Sequence, residues 1–412
     1  MSAVEIIKPA LVSRALDPRN LYAVYQPIVD LDNGAIVAYE ALARWRDPGL
    51  TPNVVFPAAA SSGELAELDW ACRIAALQGA LDAGMARGQT LFVNVEPSTF
   101  GATIPDEAAA LLFRATTELR IIIELTERAL LQDPSEVLRI VAWARAHGWG
   151  IALDDVGADP DSLTILPFVA PDVIKLDISL IQHQPGAEQG RIMAAVLAHA
   201  EATGATILAE GIENTDNLEQ AQALGATLGQ GWHFGHPGPL QFDAPCESPI
   251  AMSARALPAP TPFSLVAQSD RKRIGRKRLL LGMSRHIESL GTKDGDLVVL
   301  AAFQTADRFT AATSRRYEKL AQHCALVGAI GVGMPPTPAR DVRGADLAAD
   351  DALAGEWTVI VVGSHYAGAL IAKDCGDTGP EDSRRFEFVV THDRALVLDA
   401  ARSLMSRLVP LS

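Results

Sequence analysis

The feature that most constrains the fold is an alternation of short apolar runs with longer helical patterns between residues 21 and 234. The runs have the length and composition of strands, and the intervening segments repeat apolar residues every three or four positions. Strands that alternate with helices form a mainly parallel sheet, and about eight of them in roughly 230 residues are typical of a (β/α) barrel. The runs are 21–29, 35–43, 90–95, 120–126, 150–156, 172–178, 206–212 and a weaker 227–234.

The first two predicted strands depart from a regular barrel. They are joined by LDNG, residues 31–34, in which Asn33-Gly34 is a strong signal for a tight hairpin. A hairpin makes its two strands antiparallel, whereas all the strands of a regular barrel are parallel. Residues 1–240 are therefore predicted to form a modified (β/α)8 TIM-like barrel whose first strand is antiparallel.

A second domain follows where the regular pattern stops. Residues 241–263 are rich in proline and predict a stiff, irregular linker. Residues 264–412 predict a smaller α/β domain, which begins with a basic, helix-patterned segment at 269–290. The polar stretch 338–355 is expected to be a solvated loop or a frayed helix. Four strands are predicted in this domain, at 296–303, 325–333, 358–364 and 386–392.

Composition and charge narrow the class of protein. The net charge of −15 argues against a general nucleic-acid binder, whose affinity depends on neutralising phosphates. No apolar run is long enough to span a membrane, and the first residues lack a signal-peptide pattern. The four cysteines lack the spacing of a zinc site or a disulfide framework. We therefore expect a cytoplasmic protein with no membrane or nucleic-acid partner.

The basic segment RKRIGRKR, residues 271–278, leaves two interpretations open. It has the charge to grip nucleic acid or an anionic membrane. It is also what the solvated face of a connecting helix looks like, and a single short run on an acidic protein favours this second interpretation.

Polar side chains interrupt the apolar runs of the first domain near the carboxyl end of each predicted strand. A single acid at such a position is often only a turn or cap residue, but here run after run is interrupted at a similar point. In a (β/α) barrel these strand ends meet at one rim, which carries the active site. The residues expected to share the rim are Glu40, Asn94, Glu124, Asp154, Asp155, Lys175, Glu210 and Gln230.

This set of residues predicts a metal site. Five carboxylates around one point repel each other unless cations lie among them, and Lys175 is the one obvious cation of the set. Carboxylate and amide oxygens suit hard divalent ions such as Mg²⁺ or Mn²⁺. The adjacent Asp154 and Asp155 are well placed to serve two ions, an arrangement that is used to attack phosphodiesters.

Eight short motifs in this region also carry a family resemblance. They are YQPIVDL (25–31), YEALARW (39–45), FVNVEP (92–97), IIELTE (122–127), LDDVG (153–157), VIKLD (173–177), AEGIE (209–213) and GQGWHFGHP (229–237). In order and spacing they resemble the motifs of EAL domains, which are phosphodiesterases of the bacterial second messenger cyclic di-GMP. The resemblance covers about residues 15–240 and is specific, because eight motifs lie in register.

The resemblance implies a role for each matching residue. Glu40, Asn94, Glu124 and Asp154 would bind a first metal ion, and Asp154 and Asp155 would hold a second one. The other implied roles are the positioning and activation of the attacking water by Lys175 and Glu210, a place beside the metal-bound water for Gln230, and substrate contacts for Gln26, Arg44 and Pro237.

One segment departs from the family pattern. In DDVGADPDSLTIL, residues 154–166, Val156 replaces the usual aromatic residue and 158–161 replace a flexible Gly-Tyr stretch. Pro160 stiffens this loop. In the family the loop helps to couple dimerisation to the second metal, and Glu127 would brace it. The change removes no metal ligand, but it bears on how the enzyme is regulated and on its rate of hydrolysis.

The second domain resembles the DICT sensory domain of bacterial signalling proteins. The resemblance lies in the pattern of residues 296–333 and 358–374. No catalytic cluster is visible there, and the glycines of GAIGVG, residues 328–333, lack the order and the following helix of a phosphate-binding loop. We expect a regulatory input or interaction module whose ligand or protein partner is unknown.

These observations support one leading function and two alternatives. The leading hypothesis is a phosphodiesterase that uses two Mg²⁺ or Mn²⁺ ions to linearise cyclic di-GMP to pGpG. Ca²⁺ is expected to inhibit it, the EAL domain could form a homodimer, and the C-terminal domain would set its activity. The first alternative is a weak or inactive EAL domain that acts as a cyclic di-GMP receptor. A scaffold that binds no nucleotide is disfavoured, because it would not need the acidic cluster.

Overall fold

The computed structural model describes two compact units. The described residues are 11–85, 87–99, 105–126, 132–158, 163, 166–183, 186–240, 248–253, 260–291, 297–363, 366–378 and 380–408. The first unit consists of the described residues within 1–127, 143–158 and 170–255. The second unit consists of those within 128–142, 159–169 and 256–412. Within these described ranges, no helix has both the length and the apolar composition to cross a membrane.

Eight strands of the first unit close into a barrel in sequence order. The first strand, β1, is antiparallel to both of its neighbours, β2 and β8. Every other neighbouring pair is parallel. The predicted modified barrel is thereby confirmed. The strands are β1 Leu21–Asp30, β2 Ile36–Trp45, β3 Thr90–Asn94, β4 Arg120–Thr126, β5 Gly150–Val156, β6 Val173–Leu176, β7 Thr206–Ala209 and β8 Leu228–Gln230.

Helices connect most of the parallel strands, as the three-and-four spacing of apolar residues predicts. This local pattern places one apolar stripe of each helix against a strand layer and leaves the polar face in solvent. The helices whose bounds are described between residues 52 and 223 are α1 Pro52–Ser62, α2 Leu65–Asp82, α3 Asp106–Glu118, α4 Pro134–Ala146, α5 Leu166–Val169, α6 Ile178–Gln182, α7 Ala187–Thr203 and α8 Thr215–Ala223.

Part of the region predicted as a linker closes the amino-terminal end of the barrel. Ile250 is buried in one cluster with barrel residues that include Ile28 and Phe92. Arg120, at the start of β4, donates hydrogen bonds to the carbonyl groups of Ser248 and Ile250. Asp172, just before β6, accepts a hydrogen bond from the Ser253 amide at 2.8 Å. Residues 248–253 therefore pack as part of the barrel unit.

The second unit is built around a seven-stranded mixed sheet of order β12-β11-β10-β13-β14-β15-β9. Strands β10, β11 and β12 are parallel to one another, and the remaining pairs are antiparallel. The elements are α9 Pro262–Val266, β9 Arg273–Arg276, α10 Lys277–Leu290, β10 Leu297–Thr305, α11 Ala311–Ala321, β11 Leu326–Val332, β12 Arg343–Asp346, β13 Glu356–Gly363, β14 Ala367–Asp374, β15 Arg385–Thr391 and α12 Arg394–Met405.

The predicted α/β class of this unit is confirmed, but four strands were predicted and seven are found. Strand β14 was not predicted, because the apolar run of β13, which precedes it in the chain, is stronger. The prediction of a basic helix face at 271–278 is wrong in part, because residues 273–276 form the edge strand β9 against β15. Charged side chains on an edge strand discourage pairing with other chains, and they also hide the strand's apolar pattern.

The polar stretch 338–355 is also more ordered than the predicted loop or frayed helix. It contains β12, which pairs in parallel with β11 and in which Arg343 and Ala345 are buried. Its strand has only four residues and begins with a charged one, so the sequence shows no apolar run. Pairing with β11, not local propensity, holds these residues extended.

A buried acid in the second unit serves packing. The carboxylate of Glu288, on α10, accepts hydrogen bonds from Arg316 Nε at 2.5 Å and from the Tyr317 hydroxyl at 3.3 Å. Burial raises the pKa of Glu288, and the hydrogen bond from Arg316 opposes that shift. Because its partners are structural side chains of α11, we assign this acid to the core and not to a reaction.

Candidate active site

The barrel carries the predicted polar residues to the same rim. Glu40 lies in β2, Asn94 ends β3, and Gln230 ends β8. Parallel pairing sets Asn94 beside Glu124 of β4, and Thr126 beside Asp154 of β5. The side chains that converge there come from residues as far apart in the chain as Glu40 and Gln230, which the closed barrel brings together.

Lys175 lies at the centre of the acidic cluster, and its side chain is only 1% exposed. Its ammonium nitrogen is 2.6 Å from a Glu124 oxygen, 2.7 Å from a Glu210 oxygen and 2.9 Å from an Asp154 oxygen. Burial alone would lower the pKa of Lys175, but the charges of Asp154, Glu124 and Glu210 outweigh burial and raise that pKa well above its usual value. Lys175 is therefore a fixed positive charge.

Glu40 is held in place by two amide side chains, one from the neighbouring strand β3 and one from β8, which lies beyond β1. Its Oε1 accepts a hydrogen bond from Asn94 Nδ2 at 3.1 Å. Its Oε2 accepts one from Gln230 Nε2 at 2.7 Å. The buried carboxylate is thus oriented from both sides, β3 and β8, and this geometry explains why an acid is tolerated on an otherwise apolar strand face.

Asp154 and Asp155 are adjacent, yet both carboxylates reach the same site. Successive side chains of a regular strand point to opposite faces. Here the register of β5 against β6 shifts between Leu153 and Val156, and Asp155 adopts a left-handed φ of 56°. This irregularity is strained for a residue with a side chain, and strain of this kind is characteristic of functional sites. Oxygens of Asp154, Asp155 and Glu210 lie within 4.8 Å of one another.

Three acids of the cluster, Glu124, Glu210 and Asp155, have raised pKa values. Burial, followed by the charge of Glu40, raises the pKa of Glu124 well above its usual value. Burial raises the pKa of Glu210 to about 8. Burial and the neighbouring Asp154 raise the pKa of Asp155. A cation placed among these oxygens would favour their charged forms and remove this electrostatic cost.

The donor set fits divalent metal ions. Glu124 Oε2 and Gln230 Oε1 are buried and meet no hydrogen-bond donor in the described part of the chain. Buried oxygens without a partner are uncommon in folded proteins and call for an unseen ligand, water or ion. The ligand atoms that this rim offers are oxygens, which hard divalent ions prefer.

The residues expected to contact substrate lie beside the cluster, along β1, β2 and the segment after β8. Gln26 pairs with Glu40 in the β1–β2 register, and its Nε2 is 3.5 Å from the Gly235 carbonyl oxygen. The half-buried Arg44 donates a hydrogen bond to the Ala43 carbonyl at 2.9 Å. Pro237, also half-buried, precedes the residue that bridges to Tyr25.

Two predictions fall outside the described residues. The first is the role of Glu127, which is expected to brace the loop after the paired aspartates. The second is the rigidity of the altered loop, most of which, residues 159–162, lies outside the described ranges. At the start of that loop, the Ala158 amide donates a hydrogen bond to the Asp155 carbonyl at 3.1 Å. The assigned role of Glu127 and the rigidity of the loop therefore remain predictions.

A buried charged network next to the site was not predicted from the sequence. Asp69 of α2 accepts hydrogen bonds from the Glu96 amide at 3.3 Å and from the Thr99 hydroxyl at 2.6 Å, and it pairs with Arg73. These contacts hold the turn that directly follows Asn94. The available signal was an acid and a base four positions apart on the apolar side of a helix.

Models of two known protein families match this chain. A family model of the EAL domain matches residues 10–237, more than half of its 412 residues. The chain therefore belongs to the EAL domain family. A model described as the sensory domain in diguanylate cyclases and two-component systems, DICT, matches residues 264–374. Both resemblances predicted from the motifs are confirmed.

Two relatives from Pseudomonas aeruginosa illustrate the family. The cyclic di-GMP phosphodiesterase RocR is 31% identical over 252 residues, which are 58% of this chain and 63% of RocR. The cyclic di-GMP phosphodiesterase PA2567 is 33% identical over 223 residues, which are 52% of this chain and 38% of PA2567. The chain thus spans less than two thirds of the length of either relative.

A solved structure supports the fold of the first unit. The crystal structure of the FimX EAL domain matches 57% of this chain and 98% of its own, with a TM-score of 0.50 and 19% sequence identity. At that level of identity the likeness concerns the barrel architecture alone.

Proposed function

We propose that this protein is a metal-dependent phosphodiesterase that hydrolyses cyclic di-GMP to linear pGpG. The observation that carries the proposal is the convergence of five carboxylates and one buried lysine at the carboxyl rim of the barrel. The printed activities of RocR and PA2567 support the substrate. The acids are Glu40, Glu124, Asp154, Asp155 and Glu210.

The rim residues divide into two metal-holding groups. Glu40, Asn94, Glu124 and Asp154 would hold the first divalent ion, and Asp154 with Asp155 would hold the second. When bound, Mg²⁺ or Mn²⁺ ions would polarise the phosphodiester and lower the pKa of a bound water. The Asn94 and Gln230 amides keep the Glu40 carboxylate aimed at this site through the hydrogen bonds described above.

The remaining rim residues act on water and substrate. Lys175 contributes a permanent positive charge beside Glu210, and together the two side chains would position and activate the attacking water. Gln230 offers its free Oε1 next to that water. Gln26, Arg44 and Pro237 would bind the substrate, and Arg44 would contact one of its phosphate groups. Glu127 would brace the loop that follows Asp155.

We further propose that the DICT domain regulates the barrel in response to a ligand or protein, and that the EAL domain can form a homodimer. A second candidate function, a cyclic di-GMP receptor with little or no turnover, is favoured by one observation: the segment 156–161 departs from the family's flexible loop. All the metal-binding side chains are nevertheless retained, which favours the enzyme.

The test combines product analysis with binding. Purified full-length protein is incubated with cyclic di-GMP and Mg²⁺, Mn²⁺ or Ca²⁺, and products are separated by chromatography. We expect pGpG with Mg²⁺ or Mn²⁺. With Ca²⁺ we expect binding without cleavage, because this larger ion tolerates irregular coordination. Binding with no product under any ion would establish the receptor, and the absence of binding would refute both functions.

A further inference from the structure

The second unit gathers three basic side chains at one edge of its sheet. Strands β9, β10 and β14 run in the same direction and end at this edge. Lys277 follows β9, Arg308 follows the end of β10, and Arg384 directly precedes β15, which starts there. These three residues are called the cationic cluster below. In α/β proteins, ligands commonly bind at the carboxyl ends of strands that run side by side in one direction.

The cationic cluster is directed at one oxygen of Glu381. Glu381 Oε1 accepts hydrogen bonds from Lys277 Nζ and from Arg308 Nη1. It accepts a third one from Arg384 Nη1 at 3.0 Å, and Oε2 accepts one from the same nitrogen at 3.3 Å. Charged donors that point at one position from three sides form the arrangement that binds an oxyanion.

Positive charge exceeds negative charge at this position. Among the described residues, the ion pairs of the cluster include one further acid, Asp374, which pairs with Arg384. Three cations thus face two acids. Burial and then the charge of Arg308 lower the pKa of Arg384, so these two guanidinium groups repel each other. Arg308 Nε is buried and meets no acceptor in the described part of the chain. The cluster therefore keeps a surplus positive charge and an unused donor.

The start of α10 adds to the positive charge. This helix has 14 residues, begins at Lys277 and has no acid in its first turn. Its N-cap residue, Arg276, makes no side-chain capping hydrogen bond. The amino-terminal end of a helix carries a partial positive charge, so basic residues such as Lys277 and Arg278 are unfavourable there. A bound anion would offset this cost.

Hydrogen bonds hold the buried side of the cluster in place. The buried Gln304 donates to Asp374 Oδ2 at 3.4 Å and accepts from Arg384 Nη2 at 3.3 Å. Gln304 also has a left-handed φ of 65°, at a point where the register of β10 against β11 shifts. Strain of this kind in a residue with a side chain is characteristic of functional sites.

We propose that Lys277, Arg308 and Arg384 bind the phosphate group of a small molecule, and that Glu381 occupies their site when this ligand is absent. A phosphate group carries more charge than a carboxylate and can offer a separate oxygen to each cation. Glu381 lies in the short turn Glu381–Ser383, and its side chain is 49% exposed, so it can leave the site without disturbing the sheet. This site lies within the second unit and does not depend on the reaction proposed for the barrel.

The test is calorimetric titration of the full-length protein, with a chelator to keep metal ions out of the barrel. The probes are inorganic phosphate, adenosine monophosphate as a phosphate monoester, and acetate as a carboxylate. Arg308→Met should weaken phosphate binding by about tenfold or more, because a charged hydrogen bond is lost. Glu381→Gln should strengthen it by about tenfold, because the competing side chain becomes neutral. Acetate should bind more weakly than phosphate.

Two control variants make the same changes of charge outside the cluster. Arg315→Met removes an exposed cation of α11, and Asp382→Asn removes an exposed acid of the same turn as Glu381. Both should bind phosphate within about twofold of the wild type, because exposed charges are screened. Circular dichroism verifies that each variant is folded.

Several outcomes would overturn the inference. Phosphate binding by neither the wild type nor Glu381→Gln would exclude the site, and so would equal affinity in Arg308→Met and the wild type. Altered unfolding with unchanged phosphate affinity would reduce the cluster to a structural ion-pair network. Equal binding of acetate would contradict a phosphate site. Tighter binding of adenosine monophosphate than of inorganic phosphate would identify an organic phosphate as the ligand, and the reverse order would identify free phosphate.

Discussion

Charge balance around Lys175 governs the site at the scale of single residues. One ammonium lies among several carboxylates, and burial raises the pKa of two of them, Glu124 and Glu210. Removing one partner from a buried ionic group typically costs about 3–5 kcal/mol, because the remaining charges lose their compensation. In the metal-free protein, Lys175 is the charge that permits these acids to share one rim.

The first prediction concerns that lysine. Lys175→Met should lower the free energy of unfolding of the metal-free protein by about 3–5 kcal/mol, since the acids would repel each other without a counter-charge. Denaturant unfolding in the presence of a chelator measures this change. Lys319→Met, a change of the same type on the surface helix α11, is the control and should have little effect. Equal stability of Lys175→Met and the wild type would contradict the charge-balancing role.

The second prediction concerns Glu40. Glu40→Gln keeps the shape of the side chain but removes a carboxylate ligand, and changes in residues that merely support ligands already cost about 10–100-fold. We therefore expect cyclic di-GMP turnover to fall by at least about 100-fold, with the circular dichroism spectrum unchanged. Glu118→Gln, in an exposed pair with Arg114, is the control and should retain full turnover. Normal turnover in Glu40→Gln would exclude Glu40 as a ligand.

The third prediction uses the cysteines as probes of burial. Burial raises the pKa of Cys72 and of Cys324 to about 12, so almost none of either thiol is ionised at pH 8. Cys375 is exposed. Because the thiolate is the reactive form, iodoacetamide should modify Cys375 before the half-buried Cys72 and Cys324, whose modification should accelerate on unfolding. Peptide mass spectrometry measures the order, and early modification of Cys72 would contradict the packing of α2.

At the scale of elements, the turn after β3 depends on a helix that contributes no ligand. Asp69 and Arg73 of α2 are both buried and bind Thr99 and the Glu96 amide. Burial raises the pKa of Asp69, while Arg73 opposes that shift. The network fixes the backbone directly after Asn94, so α2 aligns a residue proposed to bind metal.

The fourth prediction tests this network. Asp69→Ala should lower the free energy of unfolding by about 3–5 kcal/mol, because Arg73 would stay buried without its partner. It should also weaken Mn²⁺ binding, since Asn94 would lose its support. Asp69→Asn retains an acceptor for the Glu96 amide and should be affected less. Denaturant unfolding and calorimetric Mn²⁺ titration measure the two effects; unchanged Mn²⁺ affinity in a folded Asp69→Ala protein would limit the network to stability.

At the scale of the whole molecule, each unit has its own apolar core. The barrel core includes Phe92 and Leu208, and the core of the second unit includes Tyr317 and Leu370. The proposed metal site belongs to the first unit alone. A ligand that binds only a folded unit stabilises that unit by mass action.

The fifth prediction follows from these separate cores. Calorimetry should resolve two unfolding transitions, and Mn²⁺ should raise the midpoint of only one. At a free concentration of 100 times Kd, the expected gain is about 2.7 kcal/mol. The combined variant Asp154→Asn with Asp155→Asn should abolish this gain, while both transitions persist. An Mn²⁺-induced shift that survives in the variant would place the ion outside the acidic rim.

The sequence alone determined the barrel, its antiparallel first strand and the identity of the acidic rim. These features follow from local rules: the spacing of apolar residues separates strand from helix, Asn33-Gly34 fixes a hairpin, and a barrel directs every strand end to one rim. The position of each acid within its run was therefore enough to predict which residues would meet.

The tertiary structure decided the features that local rules do not reach. Strands β9 and β12 exist because a neighbouring strand pairs with them, although their own sequences are polar. Residues 248–253 pack under the barrel because Arg120 and Asp172 bind their backbone. The turn of Asp155 towards the site depends on a shifted register against β6. Each of these depends on contacts between residues far apart in the chain, and a local sequence pattern does not specify them.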